Sequence, residues 1–165
     1  MATSITGKIA RKYMAHYVDA SFGGQTANYV RIGKDLEEYN VEMNPDTELK
    51  KNILGETSFT HNGYEISGTA EPFYAVVGDP LFTQLQTIID TQANDDTCKT
   101  TVVEAHLWDG TSPSFTAYKQ DAYIVPTSYG GDTSGYQIPF TINYVGTKVA
   151  GTFNVTTSAF TPASP

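Results

Sequence analysis

Few residues of this chain have the types and spacing that catalysis requires. Glu104 and His106 lie two positions apart, and therefore on one face of a predicted strand, where they could form an acid–base pair or part of a metal site. Trp108 continues the same face, so we interpret it as an ordinary half-exposed strand surface. The other histidines, His16 and His61, have no His-x-x-x-His spacing that would indicate a metal site.

Motifs for nucleophilic or phosphate chemistry are absent from the sequence. It contains no Gly-x-Ser-x-Gly and no phosphate-binding Gly-Lys-Thr, and Cys98 has no second cysteine for a disulfide or a thiolate zinc site. Glu38 and Glu42 could serve as the paired carboxylates of a glycosidase, but on one exposed strand face they lack the burial that raises a pKa. We therefore expect no enzymatic activity and neither a metal nor a cofactor.

The composition indicates one β-rich domain with an acidic surface. The 165 residues carry a net charge of −8, and only 17% of them are charged, below the roughly 25% typical of soluble domains. Thr, Tyr, Gly and Val, which favour strands and turns, fill that gap. The acidic balance argues against nucleic acid as a bound partner, because phosphate contacts need clustered Lys and Arg. No apolar run has signal-peptide or membrane-span length, which predicts folding in a reducing cytoplasm.

A two-residue periodicity dominates the region after Gly33. In Leu36–Asn44 the odd positions are mostly apolar, and the even positions are Glu38, Asn40, Glu42 and Asn44. Beyond a turn predicted at Asn44-Pro45-Asp46, the apolar residues Leu49 and Ile53 alternate with Glu48, Lys50 and Asn52. Alternation of this kind predicts a long hairpin over Leu36–Leu54 with one apolar face and one wet, acidic face.

One helix is predicted in the middle of the chain. Asp79 is a favourable N-cap and Pro80 occupies the first helical position. A single apolar stripe follows, made of Leu81, Phe82, Leu85, Ile88 and Ile89. The helix should end near residues 92–94 and dock this stripe on a sheet.

The remaining periodicity predicts shorter strands on both sides of the helix. Before it we expect strands over 13–18, 29–32 and 64–70, with a loop tip over 58–63 that ends in the turn Asn62-Gly63. After it we expect two hairpins, 101–108 with 115–126 and 136–144 with 147–155. The fold class is thus a β-sandwich or barrel of about eight strands with one helix, flanked by an N-terminal arm (1–12) and a flexible C-terminal tail (157–165).

The order of these features resembles the major tail protein, or tail tube protein, family of long-tailed bacteriophages. The stretches that carry the resemblance are YVRIGKDLEEYNVEMNPDTELKKNILGETSF (29–59), YEISGTAEPFYAVVGDPLFTQLQTIID (64–90) and the paired terminal strands. The resemblance covers most of the chain and lies in architecture and residue character. It implies a single tail-tube-like domain over 13–156.

The resemblance also implies a function. Members of that family stack as hexameric rings, and their strands join into a continuous β-barrel around a lumen through which the genome passes. Here it implies a structural protein of the virion tail, made in the host cytoplasm, that self-assembles and meets the tape measure protein, the tail terminator and distal tail or baseplate proteins. DNA would transit without specific binding, since carboxylates on the wall repel phosphates within about 8 Å.

Two groups of residues become candidates through this resemblance. The lumen wall would be Glu38, Asn40, Glu42, Asn44, Glu48, Lys50 and Asn52. Contacts between subunits and rings would involve Lys8, Arg11, Lys12, Pro45, Asp46, Glu56 and Ser58. The alternative is a carbohydrate-binding β-sandwich module of a phage or bacterial surface, which would use exposed tyrosines among the eleven present.

Overall fold

The computed structural model describes residues 5–34 and 36–165. This part of the chain is mainly β and contains one α-helix, α1 (Pro80–Thr91), with 3₁₀ turns at Arg11–Tyr13 and Asp95–Cys98. The strands are β1 (Met14–Asp19), β2 (Tyr29–Ile32), β3 (Leu36–Glu42), β4 (Pro45–Lys51), β5 (Thr57–Tyr64), β6 (Ser67–Phe73), β7 (Lys99–Thr111), β8 (Ser114–Pro126), β9 (Gly130–Asp132), β10 (Gly135–Gln137), β11 (Phe140–Asn154) and β12 (Ala159–Pro162).

Most strands belong to one curled sheet. Its order is β2-β1-β7-β8-β11-β6-β3, all antiparallel, and β12 pairs with β11. Although β1 and β3 are far apart in that order, the rings of His16 and Tyr39 are only 4.9 Å apart. The sheet therefore curls back toward itself, and the predicted fold class, a sandwich or barrel-like β fold with one helix, is confirmed.

The helix begins as its sequence indicates. The Asp79 carboxylate accepts a hydrogen bond from the Leu81 N–H (2.9 Å), and Pro80 occupies the first turn. Gln92 ends the helix in the left-handed conformation. Of the apolar stripe, Leu81, Leu85 and Ile88 are buried, while Phe82 and Ile89 are partly buried against the same core.

Alternating side chains of the sheet fill two cores, one on each face. The inner core lies under the helix and includes Val18, Ile124, Phe140 and Ile142. The outer core includes Ala15, Tyr17, Val103, Ala105, Ala117 and Phe153. Successive residues of one strand point to opposite faces, so β1 contributes Val18 to one core and Tyr17 to the other.

The hairpin predicted over Leu36–Leu54 is wrong in its pairing. β3 pairs with β6 (Tyr39 opposite Ala70), and β4 pairs with β5 in a separate two-stranded sheet (Leu49 opposite Phe59). At the predicted turn, Asn44 has a positive φ of 43°, but there the chain bends between β3 and β4 without reversing. The Asn44 side-chain amide donates to the Glu65 carbonyl (2.9 Å). This hydrogen bond links the segment between β3 and β4 to the segment between β5 and β6.

The chain reverses instead at residues 52–56. Asn52 Oδ1 accepts hydrogen bonds from the N–H groups of Leu54 (2.9 Å) and Glu56 (3.0 Å), so a side-chain-bonded turn forms there. The Asn62-Gly63 turn and the loop tip over 58–63 are also wrong, because those residues lie in β5. Gly63, with φ of 134°, pairs with Asp46, and Asn62 forms a bulge.

Three further expectations need correction. The predicted strands 136–144 and 147–155 do not form a hairpin, because residues 136–137 belong to β10 and a single strand, β11, covers 140–154. β11 has an irregularity between Val145 and Val149, where Gln120 Nε2 donates to the Gly146 carbonyl (3.1 Å). The turn joining β7 to β8 lies at residues 112–113 rather than at Asp109-Gly110. Residues 159–162 of the expected flexible tail form β12. Of the expected N-terminal arm (1–12), residues 1–4 lie outside the described residues.

Replacing Leu85 with alanine tests the packing of the helix. Leu85 is fully buried, so Leu85→Ala should lower the free energy of unfolding by about 2–4 kcal/mol through lost burial and a residual cavity. Denaturant titration measures the loss, and exposed Thr87→Ala serves as the control with a change below about 1 kcal/mol. A similarly small loss for Leu85→Ala would contradict this packing.

Candidate functional site

A polar cluster on the inner face brings together residues from three strands. His106 Nε2 lies 3.0 Å from one carboxylate oxygen of Glu104, and His16 Nε2 and Lys148 Nζ lie 3.5 Å and 3.6 Å from the other. Burial by itself would raise the pKa of Glu104, but the nearby imidazoles of His16 and His106 and the charge of Lys148 outweigh it and lower this pKa to about 2.

This cluster suits a structural role better than acid–base chemistry. A carboxylate with a pKa of about 2 is ionised at neutral pH and is a weak general base, since catalytic groups work best with a pKa near the operating pH. His106 stacks on Trp108, with ring centroids 4.5 Å apart. Within residues 5–34 and 36–165, no group of three His, Cys, Asp or Glu side chains is arranged to hold a metal ion.

Tyr39 connects the polar cluster to β3, the last strand in the sheet order. Its ring contacts that of His16, and its hydroxyl lies 2.7 Å from that of Tyr144, so β3 is tied to β1 and β11. Burial raises the pKa of both hydroxyls, that of Tyr144 to about 12. Gly68 leaves the space for this ring, because a Cβ at Gly68 would lie 2.4 Å from the Tyr39 hydroxyl.

The other face of the β3–β6 ladder is acidic and open to solvent. Glu38, Asn40 and Glu42 are exposed there, and together with Thr69 and Glu71 they line an open concavity with a volume of about 310 Å³. Glu38 is directly opposite Glu71, an arrangement of like charges that costs stability. Among the ion pairs of the described residues, none involves these three carboxylates.

The β4–β5 hairpin with its turn, residues 45–64, stands apart from the main sheet and is called the arm below. Every residue of β4 is exposed, including Leu49 at 69%, and Phe59 opposite it is 66% exposed. His61 shares this face and contacts the Tyr64 ring at 4.5 Å. Glu48 and Lys50, 3.0 Å apart, occupy the opposite face, so the arm is amphipathic with both faces in water.

The structure distributes the predicted wall residues over four places. The ladder face holds Glu38, Asn40 and Glu42, the kink holds Asn44, the polar face of the arm holds Glu48 and Lys50, and the turn of the arm holds Asn52. Asn52 also shapes the turn, because its side chain bonds to three groups of residues 54 and 56.

The predicted contact residues fall into two groups. Pro45, Asp46, Glu56 and Ser58 belong to the arm, whereas Lys8, Arg11 and Lys12 lie near the start of β1. Arg11 is already used within the subunit, since its guanidinium donates to the Met14 and Tyr39 carbonyls. Lys12 supplies its carbonyl to Arg31 Nη2 at 2.7 Å.

Sequence reasoning missed the apolar side chains of β5. Phe59 and His61 alternate with the polar residues Ser58 and Thr60, a signal that could have identified the strand. The neighbouring Asn62-Gly63 turn signal took precedence over it. Val76 and Val77, both exposed in the loop before α1, were also missed, because two apolar residues in a loop carry no periodicity.

No helix in the described part of the chain is long and apolar enough to cross a membrane. Comparison of the sequence with protein-family models and with curated proteins finds no match.

The low pKa of Glu104 predicts a loss of stability in acid. Folding lowers this pKa from about 4.5 to about 2. The ionised Glu104 carboxylate therefore stabilises the folded state fully above pH 4.5, and this stabilisation is lost as the pH falls toward 2. The loss attributable to this group should be about 2–3 kcal/mol and should disappear in Glu104→Gln. Urea titrations from pH 2 to 7 measure it, with exposed Glu42→Gln as the control. Equal acid sensitivity of wild type and Glu104→Gln would contradict this assignment.

Proposed function

We propose that this protein is a structural, self-assembling subunit of the phage tail-tube type. Its copies would form hexameric rings that stack into a tube, as the tail-tube resemblance implies. The observation that carries it is the arm, which displays apolar side chains to solvent. Function would then reside in contacts between copies rather than in a catalytic centre.

The arm needs a partner for physical reasons. A two-stranded ribbon is at best marginally stable alone in water, and it needs a further layer or strand to bury its apolar side. Leu49, Phe59 and Tyr64 remain more than half exposed on one side of the arm. Exposed apolar surface of this kind is typical of sites that contact other proteins. A second copy of the chain is the partner that the tail-tube resemblance favours.

The main sheet offers a second type of contact. Within the described residues, β2, β3 and β12 each pair with a strand on one side only, so each leaves one row of backbone groups without a strand partner, although the Tyr39 carbonyl of β3 accepts from Arg11. Ring closure between neighbouring copies would satisfy such edges without further chain. The tail-tube family joins strands between subunits in this way, which supports rings as the unit of assembly.

The acidic ladder face is the proposed lumen wall. Glu38, Glu42 and Glu71 line a solvated concavity whose lining includes no Lys or Arg side chain, in a chain of net charge −8. Such a surface repels phosphates within the Debye length of about 8 Å at physiological salt, so DNA could pass without binding. On this proposal the protein is not an enzyme, resides in the virion tail, and meets the tape measure, terminator and distal tail or baseplate proteins.

Self-assembly is tested with concentrated protein. Size-exclusion chromatography and negative-stain microscopy should show rings or tubes for wild type, and Leu49→Ser with Phe59→Ser should reduce assembly at least tenfold because the apolar face of the arm is lost. Tyr129→Ser, at an exposed aromatic residue outside the arm, is the matched control. A strictly monomeric protein, with or without tail partners, would contradict the proposal, and a monomer that binds glycans would favour the carbohydrate-binding alternative.

The lumen assignment is tested by charge reversal. Replacing Glu38 and Glu42 with lysine changes the net charge of each subunit from −8 to −4 on an exposed face. Tubes should still form, but they should now bind DNA at low salt and release it at high salt, because phosphate contacts are salt-dependent. Filter binding measures this, with Asp90→Lys and Asp109→Lys as the charge-matched control. Equal DNA binding by both double variants would rule out a specific role for the ladder face.

A further inference from the structure

We propose that the cavity between the two ends of the curled sheet binds a small amphiphilic anion, a molecule that joins one acidic group to a short apolar body. This cavity, called the seam cavity below, lies where β1 and β2 face β3. The inference goes beyond the proposed function and does not depend on assembly, because the site is formed within one subunit.

The seam cavity exists because the sheet stops short of closing. Within the described strands, β2 and β3 are not paired with each other. Side chains link the two ends of the sheet instead: the Arg11 guanidinium donates to the Tyr39 carbonyl (2.9 Å), and the His16 ring contacts the Tyr39 ring. The space left beside them has a volume of about 810 Å³ and opens to solvent. Small-molecule sites are typically clefts of about 300–1,000 Å³, mostly apolar with a few polar groups.

The inner part of the seam cavity is apolar. Ile32 and Tyr39 are buried there, and Met14 is half-buried. His16 also lines this part, but the Glu104 carboxylate lies 3.5 Å from its Nε2 and makes the surroundings unfavourable for a second anion. We therefore expect the apolar body of a ligand to lie inside, where it covers apolar side chains.

The exposed rim of the seam cavity is mainly basic. Its lining includes four exposed basic side chains, those of Arg11, Lys12, Arg31 and Lys34. The carboxylates of the lining are Glu37 and Glu38, so basic groups outnumber acidic ones. They still do when Asp35, which follows Lys34 in the sequence and lies outside the described residues, is counted. Among the ion pairs of the described residues, none involves the four basic side chains, so the rim favours an anionic group.

A compact ligand fits the seam cavity better than an added β-strand. An added strand would pair with backbone groups on the free edge of β3. On that edge the Tyr39 carbonyl already accepts from Arg11, and Arg31 Nη2 donates to the Lys12 carbonyl (2.7 Å). Both arginines therefore shape the cavity, and we assign the acidic group of the ligand to Lys12 and Lys34.

Octanoate is the probe, since it joins a carboxylate to an apolar chain. Titration into dilute, isotope-labelled protein should give saturable changes in amide chemical shifts near residues 11–16, 31–34 and 36–40. Octanol, with the same chain and no charge, and inorganic phosphate, with charge and no chain, should each bind about tenfold more weakly, because the site needs both parts of the ligand.

Charge removal at the rim provides the second readout. Lys12→Gln with Lys34→Gln should weaken octanoate binding about tenfold at low salt, while the arginines that shape the cavity remain. Lys51→Gln with Lys99→Gln makes the same change in net charge outside the lining and should bind octanoate like wild type. Leu49→Ser with Phe59→Ser should also bind it like wild type, which separates the seam cavity from the apolar face of the arm.

Several results would overturn the inference. Equal affinity for octanoate and octanol would show adsorption to apolar surface, and equal affinity for phosphate would show an ordinary anion patch. Shift changes confined to residues 45–64, or no saturable binding, would also contradict it. Binding of a short oligoglutamate peptide but not of octanoate would indicate an added strand instead. Because these measurements use the dilute subunit, their failure leaves the proposed function intact, and a protein that never assembles leaves this inference intact.

Discussion

A two-stranded ribbon has no layer beneath it, so apolar side chains on the ribbon stay in water until another surface covers them. This constraint applies to the arm, where Leu49 and Phe59 face each other across the ladder and both remain exposed. The main sheet buries apolar side chains in two cores on its opposite faces, although a few apolar residues outside the arm, Val77 and Tyr129 among them, are also largely exposed. The arm, in contrast to the main sheet, has no buried apolar side chain of its own in β4 or β5, and the proposal of assembly follows from that contrast.

The body is built to hold the strand that carries the arm. β3 ends the sheet and pairs only with β6 among the described strands, yet Tyr39 anchors it to His16 and Tyr144 on the inner face. Glu104 orders the histidines around that anchor, with its negative charge balanced by Lys148. The inner face of β3 thus contributes stability, while its outer face is free to carry the carboxylates proposed for the lumen.

Local signals in the sequence were sufficient for the helix and for the two faces of β3. The Asp79 cap and the apolar stripe act within a few residues, and the alternation in Leu36–Glu42 correctly separates buried Tyr39 from exposed Glu38 and Glu42. Both depend only on neighbouring positions, which a single sequence displays in full.

Strand pairing and the polar cluster depend on distant residues and could not be predicted in the same way. Asn44-Pro45 and Asn62-Gly63 both have turn-forming composition, but the positive φ values there serve a kink and a bulge. The partner of β3 is decided by packing, since Tyr39 needs the space above Gly68. No periodicity links His16 to Glu104 or Phe160 to the outer core, so the cluster and β12 were missed.

Amide hydrogen exchange of residues 45–64 as a function of protein concentration tests the central claim most directly. The account predicts rapid exchange in the dilute subunit, because a lone exposed ribbon opens easily, and strong protection of the same amides once copies assemble. Protection in the helix and the main sheet should stay unchanged and serves as the internal reference. Arm amides that exchange equally fast at every concentration, in samples that contain assembled protein, would contradict the account.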